Sequence, residues 1–434
     1  MKQLKTFAAY VAPSVFACAL SGIYAIVDGF FVGNSVGDIG LSAINIAYPV
    51  TALIQGLGTG IGMGGAVMYS IRRARGEKKL AENNMKSSMM LLLLAAVLCT
   101  VLLYLVREPV LRLLGAQGQI FDLGEEYLRY IILGSLFQIF GTGTVPLIRN
   151  NGGSVCAMLT MVAGFLTNIV LDYLFVWVFG MGMTGAAVAT VIGQAVAMAG
   201  GFAYLLWKKV PFWGVPHAFP AAAGRILQIG LAPFGITMSP NLTLLLMNRA
   251  CVSYGGDRAV ACYACIAYVI TILYLVLQGV GDGCQPLMSQ EYGRGEVKSM
   301  KKIQSMAYIT AAVMGVVCMA VLYLLRGGVG PLFGASAEVS ADVAAALPIF
   351  LVGILFLAFS RVTTSAFYAC EQNAASYLLV YAEPVLLLVL LLLIPRFGGQ
   401  TGVWWSMALS QILASVLAWG LKIAADGQMK KGLS

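Results

Sequence analysis

Four carboxylates interrupt otherwise apolar stretches of this 434-residue sequence: Asp28 in "AIVDGFFVG", Asp172 in "NIVLDYLFVW", Asp282 in "QGVGDGCQP" and Glu383 in "YAEPVLLL". A charge in hydrocarbon costs at least ~2.5 kcal/mol on insertion scales, so each implies a partner or a task. Asn168 precedes Asp172 by four residues and shares its helix face. Thr190 and Asn45 add further side-chain oxygens. Carboxylate, amide and hydroxyl oxygens can together replace the hydration shell of a hard cation such as Na⁺. Alternatively, two crowded and desolvated carboxyls can hold and release a proton. The purely structural reading is a hydrogen-bonded plug between helices, and two carboxylates in one set weigh against it.

Depth links these residues. Asp28 lies eight residues before a turn expected near Val36, or about 12 Å along a helix axis. Asn45 lies a similar distance after that turn, and Asp172 and Thr190 flank a turn expected near Met181 by nine residues each. Asp28, Asn168, Asp172 and Thr190 are therefore expected at one depth, with Asn45 the weakest member. Arg361 and Glu383 flank a turn near Gln372 by eleven residues each, which favours an ion pair over binding of a cationic substrate. Asp282 sits in a glycine-rich run, where Thr59 takes the matching place in the first half.

The elements that must hold these residues are membrane helices. The chain is 60% hydrophobic and only 10% charged, too few charges to cover a water-facing surface. Runs such as "MLLLLAAVLCTVLLYLV" are long enough to cross a bilayer, which takes about 20 apolar residues. We read twelve spans, at 8–34, 41–71, 87–107, 124–148, 155–180, 184–207, 224–252, 258–291, 305–326, 341–370, 374–396 and 401–423. The second and eighth are long enough to require tilt or extension beyond the bilayer. The first is read as a span rather than a cleaved leader, because its apolar run exceeds a signal peptide's core.

Lys and Arg cluster in alternate connections, including residues 72–79, 208–209 and 294–302, and in both termini (Lys2, Lys5, Lys422, Lys430, Lys431). That pattern predicts cytoplasmic termini and gives no patch for nucleic acid, despite a net charge of +9. The nine Cys are expected to be free thiols, including the "CYAC" pair. There is no P-loop, HExxH, GxSxG or zinc spacing, so no enzyme is expected.

The chain repeats itself. Pro13 and Pro233, Asp28 and Asn248, "IAY" at 46 and 266, and Thr51 and Thr271 are each 220 apart, while "QGLGTG"/"QGVGDG" and "RGE"/"RGE" are shifted by 223 and 219. Six spans precede each restart, so the halves share one orientation. This predicts an all-α protein of two pseudo-symmetric six-helix bundles, 1–207 and 224–434. A Pro-rich cytoplasmic linker at 208–223 joins them and carries the sole histidine, His217. The glycines of "GLGTGIGMGGA" are expected to let helices approach closely.

"SGIYAIVDGFFVG", "LSAINIAYPV", "RNNG", "NIVLDYLFVW" and "GAAVATVIGQ", in this order, resemble the multidrug and toxic compound extrusion (MATE) family. The resemblance covers essentially the whole chain and is strongest from 12 to 200. It implies a V-shaped pair of bundles around a central cleft. It also implies export of organic cations by alternating access, in exchange for Na⁺ or H⁺, with no other cofactor. The family's first-bundle coupling site uses an Asp of helix 1, an Asn and an Asp four apart on helix 5, and a Thr of helix 6. Here these read Asp28, Asn168, Asp172 and Thr190. Some relatives carry an acidic residue in helix 7, where this chain has Asn248, and Glu383 departs from the family pattern. The expected setting is a plasma membrane (the inner membrane, in a bacterium), with a monomeric chain whose partners are small organic cations and the bilayer. The alternatives are a lipid-linked saccharide flippase of the same superfamily, which would need a basic cleft drawing on Arg361 and Arg249, and a passive channel.

Overall fold

The computed structural model describes residues 2–431 and, within them, all side chains except those of residues 2, 38 and 428–431. The terminal charges Lys2, Lys430 and Lys431 thus lie outside the described side chains. The described residues form helices α1 (Lys2–Ala74), α2 (Lys78–Leu113), α3 (Gly118–Leu133), α4 (Ser135–Asn150), α5 (Ser154–Asp172), α6 (Gly182–Trp207), α7 (Phe219–Gly293), α8 (Val297–Leu332), α9 (Ala337–Val352), α10 (Ile354–Ala369), α11 (Asn373–Leu393) and α12 (Pro395–Lys431). A π-helical segment, Tyr173–Val178, extends α5.

These helices are not one span each. α1 is broken at Gly37 and α7 at Gly256, both with positive φ and extended ψ, a conformation open essentially to glycine alone. Two pairs of shorter helices meet at a glycine: α3 and α4 at 58°, and α9 and α10 at 43°. Counting each bent pair once gives eleven membrane-length segments. The 75-residue α7, broken at Gly256, is long enough for two, which makes the expected twelve. The second arm of α1, Ile39–Ala74, runs 36 residues and is as long as its sequence required.

The repeat is written in the backbone. Positive φ recurs at Gly37 and Gly256, Gly76 and Gly295, Gly115 and Gly334, and Gly180 and Gly399, each pair 219 positions apart. The two bends follow Gly134 and Gly353 at the same offset. The twin "RGE" motifs are helix terminators. Gly76 N–H donates to Arg73 O and Glu77 N–H to Arg72 O, and Gly295 and Glu296 repeat this on Tyr292 and Glu291. This is the glycine-dependent Schellman closure of a helix C-terminus.

The chain groups into two compact units. One holds the chain through Met238 with Ser289–Glu296, and the other holds Ser239–Met288 with the chain from Val297 onward. The ends of α7 thus pack with the first unit and its middle with the second.

In the first unit, α1 packs on α2, α3, α4 and α5 around a core that includes Ile54, Leu92, Leu128, Ile139 and Leu147. The glycine run of α1 makes this packing close. A Cβ on Gly62 would lie 2.1 Å from Gly143 O, and one on Gly64 2.1 Å from Ile226 O. The linker is tied to α2 through the His217 backbone, whose N–H donates to Asn83 Oδ1 at 2.7 Å and whose carbonyl accepts from Asn83 Nδ2 at 2.9 Å.

In the second unit, α8 packs on α9 and α10, and α12 on α9, α10 and α11. Leucines and valines of α2 and α8 stay exposed, including Leu98, Leu105, Val313 and Leu324, as lipid-facing positions require. All nine cysteines are free, and most are buried.

Candidate functional site

The site lies in the first unit, where α1, α3, α5 and α6 meet. Asp28 is nine residues before the α1 break, or about 14 Å along the axis. Asp172 ends the regular part of α5, and the π-helical segment begins at the next residue. Single π turns inside helices often mark functional positions, since the wider turn frees backbone groups and re-aims side chains. Ser35 Oγ donates to Val176 O at 3.2 Å, tying α1 to that segment.

The structure brings four of the expected residues together. Asn168 and Asp172 occupy one face of α5 and are 2% and 0% exposed. Asn168 Nδ2 donates to Thr190 Oγ1 on α6 at 3.3 Å. The carboxyls of Asp28 and Asp172 lie against one another. Asp28 Oδ1, both Asp172 oxygens and Asn168 Oδ1 are buried with no hydrogen-bond donor. Buried acceptors are normally satisfied, and an ionised one left bare is costly. Four such oxygens in one cluster of residues are left for a positive charge or a proton to satisfy.

Two residues that the sequence reading did not single out complete the cluster. Tyr24 and Tyr127 stand close to Thr190 and to both carboxyls. Tyr24 sits four residues before Asp28, and its ring stacks on Phe165 with centroids 5.0 Å apart. That i−4 spacing was a usable signal. Tyr127 comes from α3, and nothing local in its sequence announces it. Its neighbour Glu126 accepts from Thr184 N at 3.0 Å and from Thr184 Oγ1 at 2.6 Å, holding the first turn of α6 and so setting where Thr190 stands. Asn45 is exposed, unlike the four buried oxygens.

The donor set is oxygen alone. Among the described residues, no group of three or more His, Cys, Asp or Glu side chains assembles that could hold a metal. Two carboxylates, an amide and hydroxyls suit a hard, weakly demanding cation such as Na⁺, and equally a proton shared by the acids.

In the second unit, Arg361 Nη2 lies 3.5 Å from Glu383 Oε2, and the two residues are 7% and 8% exposed. Tyr274 stands beside both, and Gln411 donates to its hydroxyl. Asp282 Oδ1 accepts from Gln278 Nε2 at 2.7 Å and from the Tyr368 hydroxyl at 3.3 Å. Arg249 is exposed.

Fold and site together define a multi-pass helical membrane protein with a buried oxygen cage in one of two repeated halves. The MatE family model matches residues 13–174 and 234–392, one segment in each repeat, and the chain belongs to the MATE family of transporters. It is 24% identical over 414 residues to a multidrug export protein MepA of Staphylococcus saprophyticus, covering 94% of this chain and 91% of that one. The corresponding protein of Staphylococcus haemolyticus is 23% identical over 411 residues, covering 94% and 90%.

Among solved structures, an outward-facing multidrug resistance MATE transporter of the MOP superfamily superposes with a TM-score of 0.91 at 23% identity, over 99% of this chain and 97% of that one. A MOP superfamily transporter from Pyrococcus furiosus, described as having a binding pocket of reversed polarity that suggests a different function, superposes with a TM-score of 0.91 at 22% identity, over the same shares.

Proposed function

We propose that the protein is a secondary active exporter of organic cations, driven by exchange for Na⁺ or H⁺ and acting as a monomer. The observation that carries this reading is the set of four buried, donorless oxygens on Asp28, Asp172 and Asn168. A coupling ion or proton satisfies them, and its departure leaves them bare. Only such a difference in binding energy between two conformations can drive a cycle. The names of the staphylococcal relatives support multidrug export as the cargo side of the exchange. The basic ends of the described helices, at Arg72–Arg75, Lys208 and Lys209, and Arg294–Lys302, support cytoplasmic termini.

The saccharide flippase remains the second reading, because the same fold carries the Pyrococcus furiosus transporter described as serving a different function. A flippase would need cations for a pyrophosphate, yet Arg361 is paired with Glu383. The test is uptake of a fluorescent organic cation into proteoliposomes under imposed Na⁺ or pH gradients. Gradient-driven accumulation by the wild type, lost in Asp28→Asn, is the expected result. Entry that only equilibrates the cation across the membrane, with neither gradient concentrating it, would instead indicate a channel.

A further inference from the structure

A pocket of about 370 Å³ opens at the basic end of the first unit, between the two ends of α1, the α4–α5 turn and the end of α7. Its floor is buried and polar: Asn150 is 3% exposed and Ser70 2%, and Ser70 Oγ donates to Asn150 Oδ1 at 2.7 Å. One wall holds an oriented guanidinium. Arg73 Nη1 donates to Tyr69 OH at 2.7 Å and to Asn151 Oδ1, and its guanidinium lies 5.6 Å from the Tyr69 ring centre. Asn151 Oδ1 also accepts from Tyr69 OH at 2.9 Å. Arg73 is therefore fixed in direction although exposed. Opposite it stand Gln290 and Arg294, whose Nη1 donates to Glu291 Oε1 at 2.7 Å. Tyr10 closes the rim, and among the described residues no carboxylate lines the pocket itself.

The surroundings fix its depth. Tyr204 OH donates to Asn151 O at 3.3 Å. Trp207 follows at the end of α6, 68% exposed, with Lys208 Nζ 4.1 Å from its ring centre. An exposed Trp beside a Lys at a helix end marks the headgroup level of a bilayer.

We propose that this pocket binds the phosphate headgroup of an anionic phospholipid, from the cytoplasmic leaflet in the orientation proposed above, on which the choice of leaflet rests. Guanidiniums present paired N–H donors matched to phosphate oxygens, and amides supply further donors. Basic pockets between membrane helices on the cytoplasmic side are a recurrent lipid-headgroup site. The two arginines come from equivalent helix ends, each beside one of the twin "RGE" turns. Gly293 packs there so closely that a Cβ on it would meet Ile71 O at 2.7 Å. A phosphate held by Arg73 and Arg294 bridges those two ends.

The test is native mass spectrometry of the purified full chain, titrated with phosphatidylglycerol or phosphatidylcholine and stripped with detergent. The wild type is expected to retain one phosphatidylglycerol and no phosphatidylcholine. R73Q/R294Q is expected to lower that occupancy about tenfold, as loss of two charge-assisted contacts implies. Lys298→Gln, outside the pocket, is expected to leave it unchanged. Arg294→Gln alone breaks only an exposed pair and decides the matter if the double variant fails to fold; it should lose several-fold.

Equal retention of both lipids, or no effect of the arginine changes, would overturn the proposal. So would an equal loss in Lys298→Gln. Displacement by millimolar inorganic phosphate would reassign the pocket to a soluble anion and overturn the lipid reading. Labelling of Lys298→Cys from either side reads the orientation separately, so failure of the leaflet and failure of the site are distinguishable.

Discussion

Asp28 and Asp172, 144 positions apart in the chain, turn their carboxyls on each other with three buried oxygens lacking any donor. That arrangement is a liability for folding unless something positive joins it. Asp28→Asn supplies an amide donor to the remaining carboxylate. In ion-free buffer we expect it to raise the apparent melting temperature, by an amount corresponding to about 1–3 kcal/mol, while abolishing gradient-driven transport. Thermal unfolding in detergent beside the proteoliposome assay checks both. A variant that is both less stable and fully active would remove the pair from the coupling role.

Tyr24→Phe and Tyr127→Phe each remove one hydroxyl from beside Thr190 and the two carboxyls and leave the carboxyls in place. Each is expected to raise the concentration of driving ion needed for half-maximal transport by about 2- to 10-fold, the worth of one hydrogen bond of roughly 0.5–1.5 kcal/mol. A shift in maximal rate alone, with ion dependence untouched, would assign them to packing.

Glu383→Gln leaves the buried Arg361 guanidinium without a counter-charge. We expect a loss of about 3–5 kcal/mol in stability, and substantial recovery when Arg361 is changed to Met in the same chain. Recovery of stability together with transport would make the pair structural. Recovery of stability without transport would give it a part in binding cargo.

Glu371 sits at φ 58°, and its counterpart 219 positions earlier is Gly152, at φ 92°. A left-handed conformation costs a side-chain-bearing residue roughly 1–2 kcal/mol. Glu371→Gly is therefore expected to stabilise the α10–α11 turn by about 1 kcal/mol, less glycine's extra chain entropy. Gly62→Ala should do the reverse, costing about 1–3 kcal/mol, because its new Cβ would strike the Gly143 carbonyl rather than a movable side chain. Gly33→Ala, with open space around it inside α1, serves as the control and is expected to cost nothing and to gain up to about 1 kcal/mol.

Much of this could be read from the residues because the membrane restricts the menu to helices and makes a buried acid conspicuous. Asp28, Asn168, Asp172 and Thr190 were legible from depth along their spans, since turns near Val36 and Met181 fall within a residue of the breaks at Gly37 and Gly180. The bends after Gly134 and Gly353 were not, because a glycine inside an apolar run fits a straight helix as well as a bent one. Tyr127 was hidden for the same reason: its approach to Thr190 depends on how α3 meets α6, a relation that helical periodicity does not carry. Asn45 shows the limit of depth alone. It matches the others in distance from the turn yet is exposed, because depth fixes height on a helix and leaves rotation about it open.

The constant spacing of the glycine breaks makes the molecule its own control. Where both copies keep a feature, as at Gly37 and Gly256 or Gly76 and Gly295, the duplicated scaffold demands it. Where the copies part company, as at Asp28 and Asn248, the scaffold tolerates either residue, and the difference reflects what each half was left to do. Exchanging such pairs between halves is a way to move chemistry from one copy to the other without touching the backbone that carries it.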